Sequence, residues 1–333
     1  MKKAKRRLLT ALCVILALVL VAMVFVTVYA KHMLGKINRQ DAAKQTLSPS
    51  QIQQLETEAD EPDPTFTGVT LDPADVTWAT EPPQIQVEAD NIINIMLIGQ
   101  DRRANQGRQR SDAMILCTVN KAQKKLTMTS FQRDMYVQIP GYADNRINAA
   151  YAFGGMELFE ATLLKNFGIT VDGIVEVDFG GFTKIVDMLG GVTITLTEKE
   201  ARHLGLQPGE QVLDGEEALA YSRIRKIDSD FRRTNRQRTV ITSLLNQSRN
   251  ISLPRMHSLL DSCLGLITTN MTDAQIVQYA LELFPLLKDL TIESGSIPSA
   301  ENYVSAYISG RYVLLPDLEE ARQRLQRIMG EDS

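Results

Sequence analysis

From Leu8 to Ala30 the chain runs for 23 residues without a charged side chain. A helical run of that length spans the hydrocarbon core of a bilayer with some tilt. Lys2, Lys3, Lys5, Arg6 and Arg7 stand before it, with no acid among them. The positive-inside rule then leaves residues 1–7 as a basic tail in the cytoplasm and puts everything after Ala30 outside. A cleaved signal peptide, with Val28 and Ala30 ahead of the cut, is the alternative. The run is longer than the usual apolar region of such peptides, which favours an uncleaved single-pass anchor at residues 8–30 in the cell membrane. Either way the rest of the chain is exported.

That exported part has material for a real core, since 44% of the residues are hydrophobic and 23% charged, ordinary values for a globular protein. The net charge is −4, and five cations lie in residues 1–7, so the remainder carries −9. An acidic body is a poor match to nucleic acid, and no nucleic-acid partner is expected. Cys13 sits inside the apolar run, while Cys117 and Cys263 lie in strand-like and helix-like stretches. Two exported cysteines permit one disulfide but do not make a disulfide scaffold, so buried free thiols are expected. The three histidines form no ligand-spaced pair, which argues against zinc.

Residues 31–90 are rich in Gln, Glu, Asp, Pro and Thr and read as a linker, with a short helical stalk within Lys31 to Leu55 and an extended stretch from Glu58 to Pro83. The folded domain covers 91–333, with a core bearing the motifs at 91–247 and an extension at 248–333. Strands are expected at Ile92–Ile98, Ala113–Val119, Lys125–Phe131, Ile174–Val177, Val192–Leu196 and Leu290–Ile297, with a tight turn at Asn120–Lys124. Helices are expected at Asn148–Phe153, Glu157–Asn166, Phe182–Leu189, Glu216–Ala220, Arg233–Gln247, Ala274–Leu287 and Leu318–Met329, with Gly190-Gly191 closing the third. There is no internal repeat. Strands and helices intermixed in one run predict an α/β (mixed α+β) fold, a central mixed sheet covered by helices on both faces.

Three clusters carry chemistry. The first is Gly99-Gln100-Asp101-Arg102-Arg103 followed by Arg110-Ser111-Asp112. If the strands on either side are antiparallel neighbours, Asp101 and Asp112 meet at one rim of the sheet. A carboxylate pair there suits a hard cation such as magnesium that keeps water and phosphate as its other ligands; aspartate is also a common turn residue. The second is Ser130-Phe131-Gln132-Arg133-Asp134, expected at the same rim, where Arg133 is a phosphate ligand and Asp134 orients it or acts as a base. A surface ion pair is the plainer alternative. The third is Arg223, Arg225, Lys226, Arg232, Arg233, Arg236 and Arg238, seven cations in an acidic body. In an extended stretch Arg223 and Arg225 share a face, and in the following helix Arg233 and Gln237 stand one turn apart, above a stripe of Val240, Ile241, Leu244 and Leu245. The guanidinium fork matches phosphate oxygens two at a time, so convergence of these arginines would hold a pyrophosphate; a solvated basic helix face is the alternative. No Gly-Lys-Ser/Thr phosphate loop, Gly-x-Ser-x-Gly elbow or paired Cys motif is present. Gly154-Gly155 and Gly180-Gly181 read as helix-boundary glycines.

Taken in order, Asn94–Asp101, Arg110–Asp112, Ser130–Asp134, Ile147–Tyr151 with Gly154-Gly155, Gly190-Gly191-Val192, Leu213–Gly215 through Ala220–Arg225, and Asp230–Arg233 through Arg236-Gln237 resemble the LytR-CpsA-Psr family. The resemblance spans about Asn91 to Gln247, and more loosely reaches Met329. It implies a phosphotransferase that moves a glycopolymer, such as teichoic acid or capsule, from undecaprenyl pyrophosphate to peptidoglycan with magnesium. Asp101 and Asp112 would then hold the metal. Arg133, Arg223, Arg225 and Arg233 would contact the pyrophosphate with Gln237 assisting, joined by Arg103, Arg108 or Arg110 from the Arg-rich loop. Asp230, like Asp134, would orient the arginines or act as a base. Two positions depart from the family pattern. Gln132 stands where proline is usual, which predicts a looser loop under Arg133, and Arg232 stands where glycine is usual. Partners on this reading are the polyprenyl-pyrophosphate-linked glycopolymer, peptidoglycan and the membrane lipid. Phe159, Leu163, Leu164 and Phe167 are candidates for a lipid channel, or plain core. A polyprenyl-pyrophosphate hydrolase and a non-catalytic envelope regulator that binds such lipids are the alternatives. Product analysis and alanine variants at Arg133, Arg223 and Asp112 separate them.

Overall fold

The computed structural model describes residues 31–39, 47–57, 60, 66–78, 85, 91–100, 110–225, 227–249 and 251–330. The basic tail and the expected membrane span at residues 1–30, and Asp101, Arg103 and Arg108, lie outside the described residues. Among the described residues no helix is long and apolar enough to cross a membrane.

Among the described residues, helical residues 31–34 are followed by strand β1 (Asn38–Arg39), helix α1 (Pro49–Thr57) and strand β2 (Val69–Leu71), then the apolar strands β3 (Ile92–Gln100), β4 (Ser111–Asn120) and β5 (Lys125–Phe131). A short hairpin, β6 (Tyr136–Val137) and β7 (Asn145–Arg146), leads into helix α2 (Ile147–Phe167). Next come β8 (Gly173–Asp178), α3 (Phe179–Leu189), β9 (Val192–Leu196), α4 (Glu198–Leu204), β10 (Gly209–Leu213), α5 (Gly215–Ser222) and α6 (Asp230–Ser248). The last part holds α7 (Leu253–Cys263), β11 (Ile267–Thr269), α8 (Asp273–Leu283), β12 (Thr291–Ile297), β13 (Tyr303–Ile308), β14 (Arg311–Pro316) and α9 (Leu318–Met329).

Seven strands form one sheet in the order β1-β11-β8-β3-β4-β5-β12. It is mixed as expected: β3 runs antiparallel to β4 and β4 to β5, whereas β3 is parallel to β8 and β5 to β12. One face packs on α2 and α9, around Met96, Leu116, Phe131, Phe159, Phe167 and Leu325. The other packs on α6, α8 and the segment that follows α8, around Ile93, Ile115, Met128, Leu245 and Leu283. A satellite of α4, α5, β9 and β10 closes over a third cluster with Val192, Ile194, Tyr221 and Ile224.

Several expectations are refined. The two helices predicted on either side of Gly154-Gly155 form one run, kinked at Gly155, whose φ of 65° and ψ of −149° a side-chain-bearing residue adopts only with strain. In the stretch expected to be linker, β2 pairs parallel with β13, and the Asp60 carboxylate bonds Arg146. Neither β13, β14 nor α7 was foreseen from the sequence pattern. Cys117 and Cys263 are free and only partly buried; burial pushes the Cys117 thiol up to about 12.

Candidate active site

The site begins with an irregularity in the sheet. Gly99 pairs with Ala113 and Gln100 with Ser111, so Asp112 is an extra residue in β4. Strict alternation would aim Ser111 to the same side as Ala113 and Ile115. The bulge turns Asp112 to that side instead, and Asp112, Ala113 and Ile115 all line one cavity.

That cavity, of about 340 Å³, lies between the sheet and helices α3, α5 and α6. Leu97, Ile115, Val175 and Val177 floor it, and Phe182, Ile185, Leu219, Val240 and Leu244 cover it. Local sequence builds the cover. Asp178 caps α3 by accepting from Gly181 N at 2.7 Å, which sets the register that turns Phe179, Phe182 and Ile185 inward. Asp214 and Glu217 form a capping box at the start of α5. Gly215 lets α5 meet α3, because a Cβ there would lie 2.3 Å from the Thr183 carbonyl oxygen.

Polar groups gather at the mouth. Asp112 Oδ1 accepts from Arg133 Nη1 at 2.9 Å and from Arg225 Nη2 at 3.1 Å. Arg133 Nε donates to Asp134 Oδ2 at 3.3 Å, and Asp134 Oδ1 lies 3.5 Å from Arg146 Nε. Arg233 Nη2 donates to Asp230 Oδ2 at 2.7 Å. The Arg223 guanidinium lies 4.5 Å from the centre of the Phe179 ring. Asp112, Arg223, Arg225, Arg233 and Gln237 all line the cavity.

These groups differ sharply in how well they are satisfied. Burial opposes the charge on Arg133, but Asp134, Asp230 and Asp112 outweigh it and hold its pKa above the usual value. Arg233 has the opposite balance. It is 1% exposed, and its Nε and Nη1 have no hydrogen-bond partner. Burial, then repulsion from Arg133, pulls its pKa down to about 10, and Asp230 offsets this only in part. Burial likewise raises the pKa of Asp230 above the usual carboxylate range, against the pull of Arg233 and Arg133. Gln237 Oε1, one helical turn from Arg233, is also buried without a partner; a half-turn of the amide presents its N–H₂ to the same place. Unpaired N–H groups on a buried cation are costly, and an anion at the cavity mouth would satisfy them.

Arg133, Asp134, Arg223, Arg225, Asp230, Arg233, Gln237 and Asp112 are thus brought together. Arg110 is not: its Nη2 donates to the Leu55 carbonyl at 3.0 Å, its charge lowers the pKa of Arg311, and it does not line the cavity. The basic run also divides. Arg232 is exposed, Arg236 bonds Glu200 and Asp228, and Arg238 donates to Ser130 Oγ at 2.6 Å. Of the α2 residues, Phe159, Leu163 and Phe167 are plain core, the second of the two readings given for them, on the opposite face of the sheet, and Leu164 is 43% exposed. The apolar cavity is lined instead by Phe179, Phe182 and Ile185, whose i, i+3, i+6 spacing was the available signal. Gln132 does not loosen its loop. Its N–H, which proline lacks, donates to the Ile297 carbonyl at 2.8 Å, and its Nε2 reaches Thr234 Oγ1 at 3.1 Å.

For a magnesium ion, Asp112 offers a hard oxygen donor at the mouth, which fits a cation whose remaining ligands are water and phosphate. Among the described residues no group of three or more His, Cys, Asp or Glu forms a metal cage by itself.

The family model described as "LytR_cpsA_psr family" matches residues 50–327. The chain is similar to the regulatory protein MsrR of Staphylococcus aureus (strain COL), at 35% identity over 226 residues, 65% of this chain and 68% of that protein. It is also similar to the polyisoprenyl-teichoic acid--peptidoglycan teichoic acid transferase TagT of Bacillus subtilis (strain 168), at 32% identity over 252 residues, 71% of this chain and 77% of that one. A solved structure of the LytR-CPS2A-psr family protein YwtF (TagT) with bound octaprenyl pyrophosphate lipid superposes with a TM-score of 0.55 and 27% identity, covering 79% of this chain and 99% of that chain.

Proposed function

The chain belongs to the LytR-CpsA-Psr family, and from that membership we propose that it transfers a glycopolymer from a polyprenyl pyrophosphate carrier to peptidoglycan in cell wall assembly. The observation that carries this reading is Arg233, a buried guanidinium with two unpartnered nitrogens at the mouth of an apolar cavity. A ligand that joins a pyrophosphate to a long hydrocarbon satisfies both halves of that site. The octaprenyl pyrophosphate held by the similar YwtF (TagT) protein is such a ligand.

The reaction on this reading is a phosphoryl transfer. The polyprenyl chain lies against Phe182, Ile185, Leu219 and Leu244. Arg133, Arg223, Arg225 and Arg233 hold the pyrophosphate oxygens, with Gln237 beside them. A hydroxyl of the peptidoglycan acceptor attacks the phosphorus next to the sugar. A new O–P bond forms, the P–O bond to the lipid phosphate breaks, and polyprenyl phosphate leaves with the electron pair. Asp230 takes the hydroxyl proton. Its raised pKa makes it the better base, whereas Asp134 is engaged between Arg133 and Arg146. Asp112, with Asp101 that follows Gln100 in the sequence, would hold a magnesium ion, which when bound neutralises phosphate charge. Residues 8–30 act as a single-pass anchor with residues 1–7 in the cytoplasm, so that the site works outside the membrane at high effective concentration of its lipid donor.

The test is reconstitution of the full chain in vesicles with a polyprenyl-pyrophosphate-linked oligosaccharide and peptidoglycan fragments. Oligosaccharide joined to peptidoglycan, with release of polyprenyl phosphate, is the expected result. Free oligosaccharide phosphate in its place would mean hydrolysis, and an intact donor would leave only lipid binding; either overturns the transfer reading.

A further inference from the structure

Arg236 lies one turn along α6 from Arg233 and is also buried, yet it does not line the cavity. We infer that Arg236 is a positioning residue that clamps the loop carrying Arg223 and Arg225, and so fixes both guanidinium groups on the pyrophosphate; this rests on the function proposed above.

The contacts are specific. Arg236 Nη1 donates to the Ile224 carbonyl at 3.2 Å and to Asp228 Oδ1 at 3.1 Å, while Nη2 bonds Asp228 Oδ2. Nε donates to Glu200 Oε1 at 2.6 Å. One planar fork therefore grips both the Ile224 end and the Asp228 end of a loop that leaves α5 at Arg223 and enters α6 at Asp230. Ile224 is the residue between the two pocket arginines. Its side chain is 1% exposed and packs with Ala218, Tyr221 and Val240. With the side chain held inward and the carbonyl held by Arg236, the two flanking residues are left to face the cavity, which both line.

Glu200 anchors the clamp. Its carboxylate also accepts from Thr197 N at 2.9 Å and Thr197 Oγ1 at 2.8 Å, and it is itself buried. Burial opposes the Glu200 charge, but Arg236 and Thr197 outweigh it and hold its pKa below the usual range. Two carboxylates face the one guanidinium, so Arg236 is already neutralised and has no call for a phosphate. Arg233 and Arg236 thus divide the work: the first awaits an anion, and the second shapes the loop beside it.

The experiment uses the full chain in detergent, with octaprenyl pyrophosphate and uncharged octaprenol as probes. Asp228→Asn weakens the loop grip while keeping the Arg236–Glu200 pair. Arg236→Lys keeps one charge but loses the fork, and Arg236→Met removes the clamp. A displacement of the arginines by about 1 Å is expected to weaken octaprenyl pyrophosphate binding and kcat/KM by roughly 10–100-fold. Octaprenol binding stays as in wild type, and Arg236→Lys recovers part of the loss seen in Arg236→Met. Folding is checked by melting; if Arg236→Met does not fold, Asp228→Asn carries the test. A folded Asp228→Asn that binds octaprenyl pyrophosphate as tightly as wild type overturns the inference, and so does an equal loss for both probes. A wild-type chain that shows no preference for the pyrophosphate over octaprenol overturns the proposed function instead.

Discussion

Arg233→Met replaces a buried cation by an apolar side chain of similar length, and its effect should reverse sign with the ligand. The Arg233 pKa is pulled from its ordinary value down to about 10, by burial first and by Arg133 second. That difference corresponds to roughly 3 kcal/mol against the charged folded form. Because the folded pKa is the lower one, the penalty is complete at every pH below about 10 and fades only as pH rises toward the unfolded value. That penalty is already net of the attraction to Asp230; the substitution also leaves the Asp230 carboxylate without its 2.7 Å bond, at a cost of about 1–3 kcal/mol. Without ligand the variant should therefore melt between the wild-type temperature and roughly 5 °C above it. With octaprenyl pyrophosphate the wild type gains stability through binding, and the variant loses about 2–5 kcal/mol of that affinity. Calorimetry of the full chain, with and without the lipid, reads both effects. Arg236→Met is the control: it breaks a fully paired buried network and should cost about 3–5 kcal/mol. If Arg233→Met destabilises the free protein as much as Arg236→Met does, Arg233 is a structural residue and the reasoning is refuted. An undiminished lipid-induced shift refutes it equally.

Further expectations concern the rest of the site. Asp112→Asn removes the carboxylate that holds Arg133 and Arg225; transfer should fall by roughly 10²–10³, and a magnesium titration of the rate should lose its response. Leu219→Trp fills the channel and should weaken octaprenol and octaprenyl pyrophosphate by the same factor, of the order of tenfold, as competition binding would show. The acid limb of the pH–rate profile should lie above the ordinary carboxylate range, since burial raises the Asp230 pKa and the base works deprotonated. Asp230→Asn should abolish that limb and slow transfer by roughly 10²–10⁴. A raised acid pKa gives stability that is present below the unfolded value and lost as pH climbs through the folded one. Asp230→Asn should therefore stay at least as stable as wild type under chemical denaturation above that range.

Strand and helix placement was readable because period-two and period-3.6 patterns report which side chains face a core, and this covered β3, β4, β5, α6 and α9 well. Spacing likewise exposed the Asp112, Arg133, Arg225 and Arg233 constellation, since guanidinium groups crowded in an acidic chain call for an anion. Pairing across distance was another matter. A bulge that aims Asp112 into the cavity depends on how β3 and β4 slide past each other, which neither strand's residues reveal alone. The side of the sheet that carries the channel is of the same kind: α2 and α3 are both apolar, and only the packing of α9 against α2 leaves the other face to open. Within one basic helix, Arg233, Arg236 and Arg238 look alike in sequence. Their roles separate because Glu200, from a remote segment, and Asp228, just ahead of the helix, neutralise Arg236, while Ser130 takes one N–H group of Arg238 away from the cavity and Arg233 alone of the three lines the cavity, with two N–H groups unfilled. A charge's role depends on what surrounds it in space, and those neighbours are assembled by folding.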